Sequence, residues 1–199
     1  MVADPDVRGR ATASAAGLAL GLLAGGRATR LGGADKAWVS CGGQSLFVRT
    51  VAAVSNQHHF AARLVSANRD PERYAPSGFA VIADRIAGFP GPLAGIEALL
   101  GVCHTDWLLT LPIDLRTIPA DLVLRLRAAG DDGAVAVDAG GLQPLVAIWP
   151  VARARIAVAA ALARGDGAVH RVVADLALTP VAFAPVAFGN LNTPEDLQS

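Results

Sequence analysis

The densest concentration of chemistry-bearing residues lies early in the chain, in the 15-residue run Leu22-Leu23-Ala24-Gly25-Gly26-Arg27-Ala28-Thr29-Arg30-Leu31-Gly32-Gly33-Ala34-Asp35-Lys36. An apolar, strand-like stretch ends there in paired glycines, followed by a basic loop, a second glycine pair and a lysine. Glycine carries no Cβ, so the backbone N–H groups beside it can approach a phosphate chain closely. Arg27, Arg30 and Lys36 would surround such a cradle with positive charge. The carboxyl end of a strand is also where open α/β sheets bind ligands. Spacing excludes two familiar phosphate loops. A Walker loop puts lysine directly after glycine with Ser or Thr next, whereas Asp35 precedes Lys36 and Ala37 follows it. Gly25-Gly26 and Gly32-Gly33 do not form the G-x-G-x-x-G dinucleotide fingerprint. A glycine-rich surface turn is the alternative that the paired glycines alone leave open.

Two carboxylates stand just past other apolar runs. Asp114 follows the run at 107–111, where its side chain can enter a cleft, and a hard cation such as magnesium takes one or two carboxylates plus substrate phosphates. A solvated loop aspartate or a helix cap would look the same. Asp84 follows the run at 79–83 and could bind a ligand or pair with its neighbour Arg85 at the surface. Pro90-Gly91-Pro92-Leu93-Ala94-Gly95 reads as a stiff turn entering a helix. A glycine so early in a helix implies something close against the backbone, either a ligand or the sheet.

These residues need an alternating scaffold, and the pattern supplies one. Apolar runs at 18–23, 63–66, 79–83, 107–111, 134–137 and 145–149 read as strands, with helices expected at 46–54, 93–102, 119–128 and 151–164. Such alternation argues for α/β architecture with a largely parallel sheet. Pro119 suits a first helical turn, and Thr193 suits an N-cap, with Pro194 and the acids Glu195 and Asp196 next. Residues 1–14 are small, polar and aperiodic, so a mobile tail is expected before a single domain over 15–199.

Composition narrows the partners. Seventeen basic residues balance 17 acidic ones, which leaves no electrostatic footprint for nucleic acid or an anionic membrane. Cys41 and Cys103 form no CxxC pair, and His58, His59, His104 and His170 lack zinc-site spacing, so reduced thiols are expected. The apolar run at 15–24 is too short for a membrane span, and Asp4 and Asp6 spoil the basic flank of a secretion signal. A cytoplasmic protein is expected. Trp38, Trp107 and Trp149 sit in strand-like contexts and read as core.

The opening loop resembles the signature of nucleoside-triphosphate-type nucleotidyltransferases and, more closely, that of the molybdenum cofactor guanylyltransferases. The resemblance continues through Ser66-Ala67-Asn68-Arg69, Val81-Ile82-Ala83-Asp84, Pro90 to Ile96, Leu111-Pro112-Ile113-Asp114 and Gly189-Asn190-Leu191-Asn192-Thr193-Pro194-Glu195, in family order. It implies a three-layer α/β/α, Rossmann-like domain. It implies GTP bound by Leu23, Ala24, Gly25, Gly26, Lys36, Ser66, Asn68, Asp84, Gly95 and Asp114. Lys36, Arg30 and Asp114 would be catalytic, with Asp114 the ligand of Mg²⁺. Gln143, Asn190 and Asn192 would face the acceptor, molybdopterin, although asparagines near a helix start also serve as caps. Two departures stand out: Ser66 replaces an asparagine of several relatives, and Leu115-Arg116 replaces the Thr/Met-Pro that commonly follows the aspartate.

The implied reaction joins GMP from GTP to the terminal phosphate of molybdopterin and releases pyrophosphate. Molybdoenzymes or their chaperones are the implied transient partners. The alternatives are a CTP-using relative on the same acceptor, another nucleotidyltransferase of the superfamily acting on a sugar phosphate, and a non-catalytic GTP-binding partner protein.

Overall fold

A computed structural model describes residues 15–25, 35–85, 91–193 and 195–197. The expected tail at 1–14 lies outside them. Strand β1 (Ala15–Leu23) runs through the middle of a seven-stranded sheet with β4 (Ala62–Ser66), β5 (Ala80–Ile82), β6 (Thr105–Pro112), β7 (Ala134–Asp138), β8 (Gly141–Pro150) and β9 (Thr179–Ala182). The order is β5-β4-β1-β6-β8-β7-β9. Only β8 runs antiparallel to its neighbours, so the mainly parallel expectation holds.

Both faces of β1 are buried, as a central parallel strand requires. Leu18, Leu20 and Leu22 enter one apolar cluster, and Ala19 and Leu23 enter the other. Helices α1 (Leu46–Ser55) and α3 (Leu122–Arg127) cover the first face. Helices α2 (Pro92–Val102), α4 (Val151–Ala163) and α5 (Val169–Asp175) cover the second. Three layers result. Gly21 lets α2 approach, because a Cβ there would stand 3.0 Å from both Leu99 Cδ1 and Leu108 Cδ1.

The chain steps from β1 outward to β4 and β5, then returns to the other side of β1 as β6. That reversal opens a crevice at the carboxyl ends of β1 and β6, where open α/β sheets bind ligands. Backbone bonds carry the sheet past its last residues: Ala24 N–H donates to Ser66 O (3.0 Å), Ala67 N–H to Ile82 O (3.1 Å) and Ile113 N–H to Leu23 O (3.3 Å). The segments leaving these strands therefore start side by side.

Sequence expectation and structure differ at several elements. Helix α3 begins at Leu122, not Pro119. The Pro119 carbonyl accepts from the Gln57 side-chain amide at 2.9 Å, and Gln57 Oε1 accepts from Val123 N–H at 3.0 Å, so a side chain from the end of α1 caps a later start. The helix expected after Thr193 is a single 3₁₀ turn, Glu195–Leu197; Pro194 lies outside the described residues. Thr193 does cap it, accepting from Asp196 N–H at 3.3 Å, while the Asp196 carboxylate accepts from Thr193 N–H at 3.0 Å in a reciprocal box. Trp38 sits in a 3₁₀ turn instead of a strand, packed among Phe47 and Tyr74. Trp149 is fully buried in β8, and its indole N–H donates to Thr110 Oγ1 at 2.8 Å. Cys41 and Cys103 are free and buried.

Candidate active site

Lys36 leads a 3₁₀ turn, Lys36–Trp38, that Asp35 caps: Asp35 Oδ1 accepts from Ala37 N–H at 3.0 Å. The Tyr74 hydroxyl faces the other carboxylate oxygen of Asp35 at 3.5 Å. Burial, reinforced by the Asp35 charge, pushes the Tyr74 phenol well above its usual range, so it remains a donor. The turn is followed by a hairpin of β2 (Ser40–Cys41) and β3 (Gln44–Ser45) around Gly42 and Gly43, both at positive φ. Ser45 then caps α1, accepting from Val48 N–H at 3.3 Å.

Lys36 Nζ donates to Asp114 Oδ2 at 2.6 Å and to Asn192 Oδ1 at 2.5 Å. The Lys36 and Asp114 side chains keep only 14% and 19% of their exposure, which puts the ion pair in a recess where solvent screens it less than a surface pair. Three of the expected residues therefore meet, two of them 156 positions apart in the chain.

Asp114 is held through its loop. Leu191 N–H donates to Asp114 O at 2.7 Å, Arg116 N–H to Gly189 O at 3.2 Å and Thr117 N–H to Phe188 O at 2.9 Å, a short antiparallel ladder between 114–117 and 188–191. The two departures after the aspartate have structural uses. Leu115 is buried in the core, and Arg116 forms an ion pair with Asp196. Arg49 on α1 donates to the carbonyls of Leu115, at 2.7 Å, and Arg116.

A second network stands at the ends of β4 and β5. Asn68 Nδ2 donates to Asp84 Oδ2 at 2.9 Å, Asp84 N–H donates back to Asn68 Oδ1 at 2.8 Å, and Ser66 Oγ meets Asp84 Oδ1 at 3.3 Å. Asp84 is therefore engaged here, while Arg85 pairs with Glu97 at 2.5 Å. Gly95 in α2 borders this network. A Cβ there would fall 2.7 Å from Ser66 Oγ and 3.3 Å from Leu23 Cδ2. The close neighbour anticipated for that glycine is, among the described residues, the strand end itself. Gly25 completes the group, since a Cβ on it would reach to 3.9 Å from Ser66 Oγ and 4.0 Å from Asn68 Nδ2.

The expected acceptor-side residues sit apart from that network. Asn190 is exposed and bridges to Leu115 through the backbone. Gln143 donates its amide to Asp138 Oδ1 at 2.9 Å. Asp138 was not singled out from the sequence, yet it is buried and also accepts from Gly140 N–H at 2.8 Å and Phe188 N–H at 2.7 Å. Burial alone would push its carboxyl up, but the Phe188, Gln143, Gly140 and Gly141 hydrogen bonds outweigh it and hold the group below the usual carboxylate range. Asp138 thereby ties the β7–β8 hairpin to the segment that carries Asn190 and Asn192. Its run, Val137-Asp138-Ala139-Gly140-Gly141, could have signalled a turn aspartate.

Gly26, Arg27, Arg30, Gly32, Gly33 and Pro90 lie outside the described residues. Among the described residues there is no group of three His, Cys, Asp or Glu side chains able to hold a metal by themselves. Asp114 offers a single hard carboxylate beside the Lys36 ammonium, and not a protein-built cage.

Residues 21–181 match the family described as the MobA-like NTP transferase domain. A protein of Rhodopseudomonas palustris named molybdenum cofactor guanylyltransferase is 40% identical over 191 residues, covering 88% of this chain and 89% of that one. A protein of Shewanella putrefaciens with the same name is 40% identical over 183 residues, covering 89% and 92%. Among solved structures, the Archaeoglobus fulgidus molybdopterin-guanine dinucleotide biosynthesis protein A superposes with a TM-score of 0.67 at 22% identity, covering 90% of this chain and 94% of that one. A Thermus thermophilus 2-C-methyl-D-erythritol 4-phosphate cytidylyltransferase gives 0.64 at 19% identity, covering 89% and 94%. These two structural likenesses bear on the fold alone.

Proposed function

The chain belongs to the MobA-like NTP transferase family, and we propose from that premise that it is a molybdenum cofactor guanylyltransferase. It transfers GMP from GTP to molybdopterin. The observation that carries this reading is the convergence of Lys36, Asp114 and Asn192 in one recess at the sheet's switch point, with the Ser66–Asn68–Asp84 network on the neighbouring strand ends. The unbroken sheet supports one domain over 15–199.

Leu23, Ala24 and Gly25, with Gly26 beyond them, form the entry to the phosphate loop. The guanine nucleotide lies toward Ser66, Asn68, Asp84 and Gly95. Lys36 faces the phosphates, and Arg30 is assigned the same charge-neutralising role from the sequence. Asn190, Asn192 and Gln143 flank the acceptor, with the Gln143 amide N–H held by Asp138. An oxygen of the acceptor's terminal phosphate forms a bond to the α-phosphorus as the bond to the α,β-bridging oxygen breaks, and pyrophosphate leaves with that electron pair. No covalent enzyme intermediate is required, because such chemistry rests on positioning and charge neutralisation. Lys36 offsets the charge that grows on the bridging oxygen. Asp114 would hold Mg²⁺, which when bound neutralises phosphate charge and orients the reacting groups.

GTP and molybdopterin are the substrates, and molybdoenzymes or their chaperones are the receivers of product. Among the described residues no helix is long and apolar enough to cross a membrane. The test is GTP radiolabelled at the α-phosphate, incubated with protein, Mg²⁺ and molybdopterin. Label should appear in the dinucleotide, and γ-label in pyrophosphate. Binding of GTP with no transfer would instead favour the non-catalytic reading.

A further inference from the structure

Lys36 is the only lysine in the chain; every other one of its 17 basic residues is an arginine. An arginine fork matches planar anions, whereas an ammonium is a compact charge with three donors. Here two of those donors are directed at protein acceptors, Asp114 Oδ2 at 2.6 Å and Asn192 Oδ1 at 2.5 Å. The third remains for a phosphate oxygen. Because lysine only donates, the Asn192 amide must turn its oxygen to Lys36.

Asn192 is itself fixed from both sides. Its backbone N–H donates to Asp196 Oδ2 at 3.0 Å. The preceding Leu191 N–H donates to Asp114 O at 2.7 Å, and Leu191 is buried. Arg116, from the Asp114 loop, pairs with the same Asp196. A side-chain carbonyl anchored in this way presents a preset acceptor. Without it, the Lys36 stem would be restrained at its head by Asp114 alone, the carboxylate that the reaction assigns to a metal.

We propose that Asn192 is a positioning residue for Lys36: its side-chain carbonyl holds the ammonium in the phosphate-facing orientation when Asp114 is engaged elsewhere. The inference rests on the phosphate role given to Lys36 above. It makes Asn192 act on nucleotide binding, before any acceptor binds.

The test measures GTP affinity by calorimetry with magnesium and without molybdopterin, in the wild type, Asn192→Ala, Lys36→Ala and the double variant. Losing one hydrogen bond to a charged group should weaken GTP about tenfold in Asn192→Ala. The double variant should bind no worse than Lys36→Ala. Lysine-selective ¹³C labelling supplies a second readout, because it reports one residue. The two ε-protons should be inequivalent in the wild type and should average toward one signal in Asn192→Ala. The near-isosteric Asn192→Leu serves the same comparison if the alanine variant folds poorly. An unchanged ε-CH₂ signal with GTP affinity within about twofold of wild type, and only the acceptor KM raised, overturns the proposal. So does an equal loss on adding Asn192→Ala to Lys36→Ala. If Lys36→Ala itself leaves GTP affinity intact while the ε-CH₂ signal still responds to Asn192, positioning stands and the phosphate role fails.

Discussion

Asp138→Asn is the substitution whose cost follows most directly from the geometry. Asp138 is 6% exposed, and its carboxylate accepts from Gly140 N–H and the Gln143 amide at Oδ1 and from Phe188 N–H at Oδ2. An asparagine can keep its oxygen toward Gly140 and Gln143, but its NH₂ then faces the Phe188 N–H, donor against donor. Leaving one buried donor unsatisfied costs about 1–3 kcal/mol, and the two retained bonds lose their charge assistance. A total near 3 kcal/mol corresponds to a fall in Tm of roughly 6–12 °C for a chain of this size. Calorimetric melting near neutral pH measures it. The pH dependence supplies a second check. The folded carboxyl sits below the usual carboxylate range, so its stabilisation is fully present above the unfolded value, near pH 4, and is lost as pH falls through the folded value. The wild type should therefore lose a stability increment below about pH 4 that the variant lacks. A Tm within about 1 °C of wild type at neutral pH would refute the view that Asp138 ties Phe188 to the β7–β8 hairpin.

Other expectations concern the site itself. Lys36→Ala should lower kcat about 100- to 1000-fold, the usual cost of one preorganised electrostatic donor, with preference for guanine retained; steady-state kinetics on GTP and CTP check both points. Asp114→Asn should lower turnover about 100-fold or more at ordinary magnesium with the fold intact, and wild-type turnover would remove the metal role. Gly95→Val should raise the KM for GTP more than it lowers kcat, because the added carbons displace the Ser66 hydroxyl 2.7 Å away and disturb Asp84 behind it. A fall in kcat alone would argue against that path.

The parts of the fold that were legible are those where one local signal suffices. Strand β1 is apolar throughout, and β6 is apolar over 107–111 apart from Thr110, because both faces are buried there, and the glycine-rich exit from β1 marks the switch point. The positions of Asp84 and Asp114 just beyond strands are legible because each follows an apolar run, and strand ends in a parallel sheet converge on one edge. Elements that depend on distant partners were not legible. Pro119 looked like a helix start until Gln57, 62 positions away, took its carbonyl. Helix α5 is followed by Ala177 at φ 52°, where a glycine would have announced the stop, and β9 after it is a short edge strand. The Gly42-Gly43 turn was a readable hairpin signal that the flanking polar residues obscured. Asn192 could be assigned to the acceptor side by resemblance, but nothing local indicates that its carbonyl faces Lys36.

Nucleotide choice tests the central claim most directly. Purified protein, Mg²⁺ and a limiting pool of molybdopterin are given equal concentrations of GTP and CTP, and the dinucleotide products are separated by chromatography. A site that hydrogen-bonds one base edge leaves its own buried polar groups unpaired against another. The account predicts a guanine-containing product favoured by at least about 100-fold, or roughly 2.7 kcal/mol in kcat/KM. A mainly cytosine-containing product would contradict it, leaving the fold and the Lys36–Asp114 recess in place but the guanine assignment wrong.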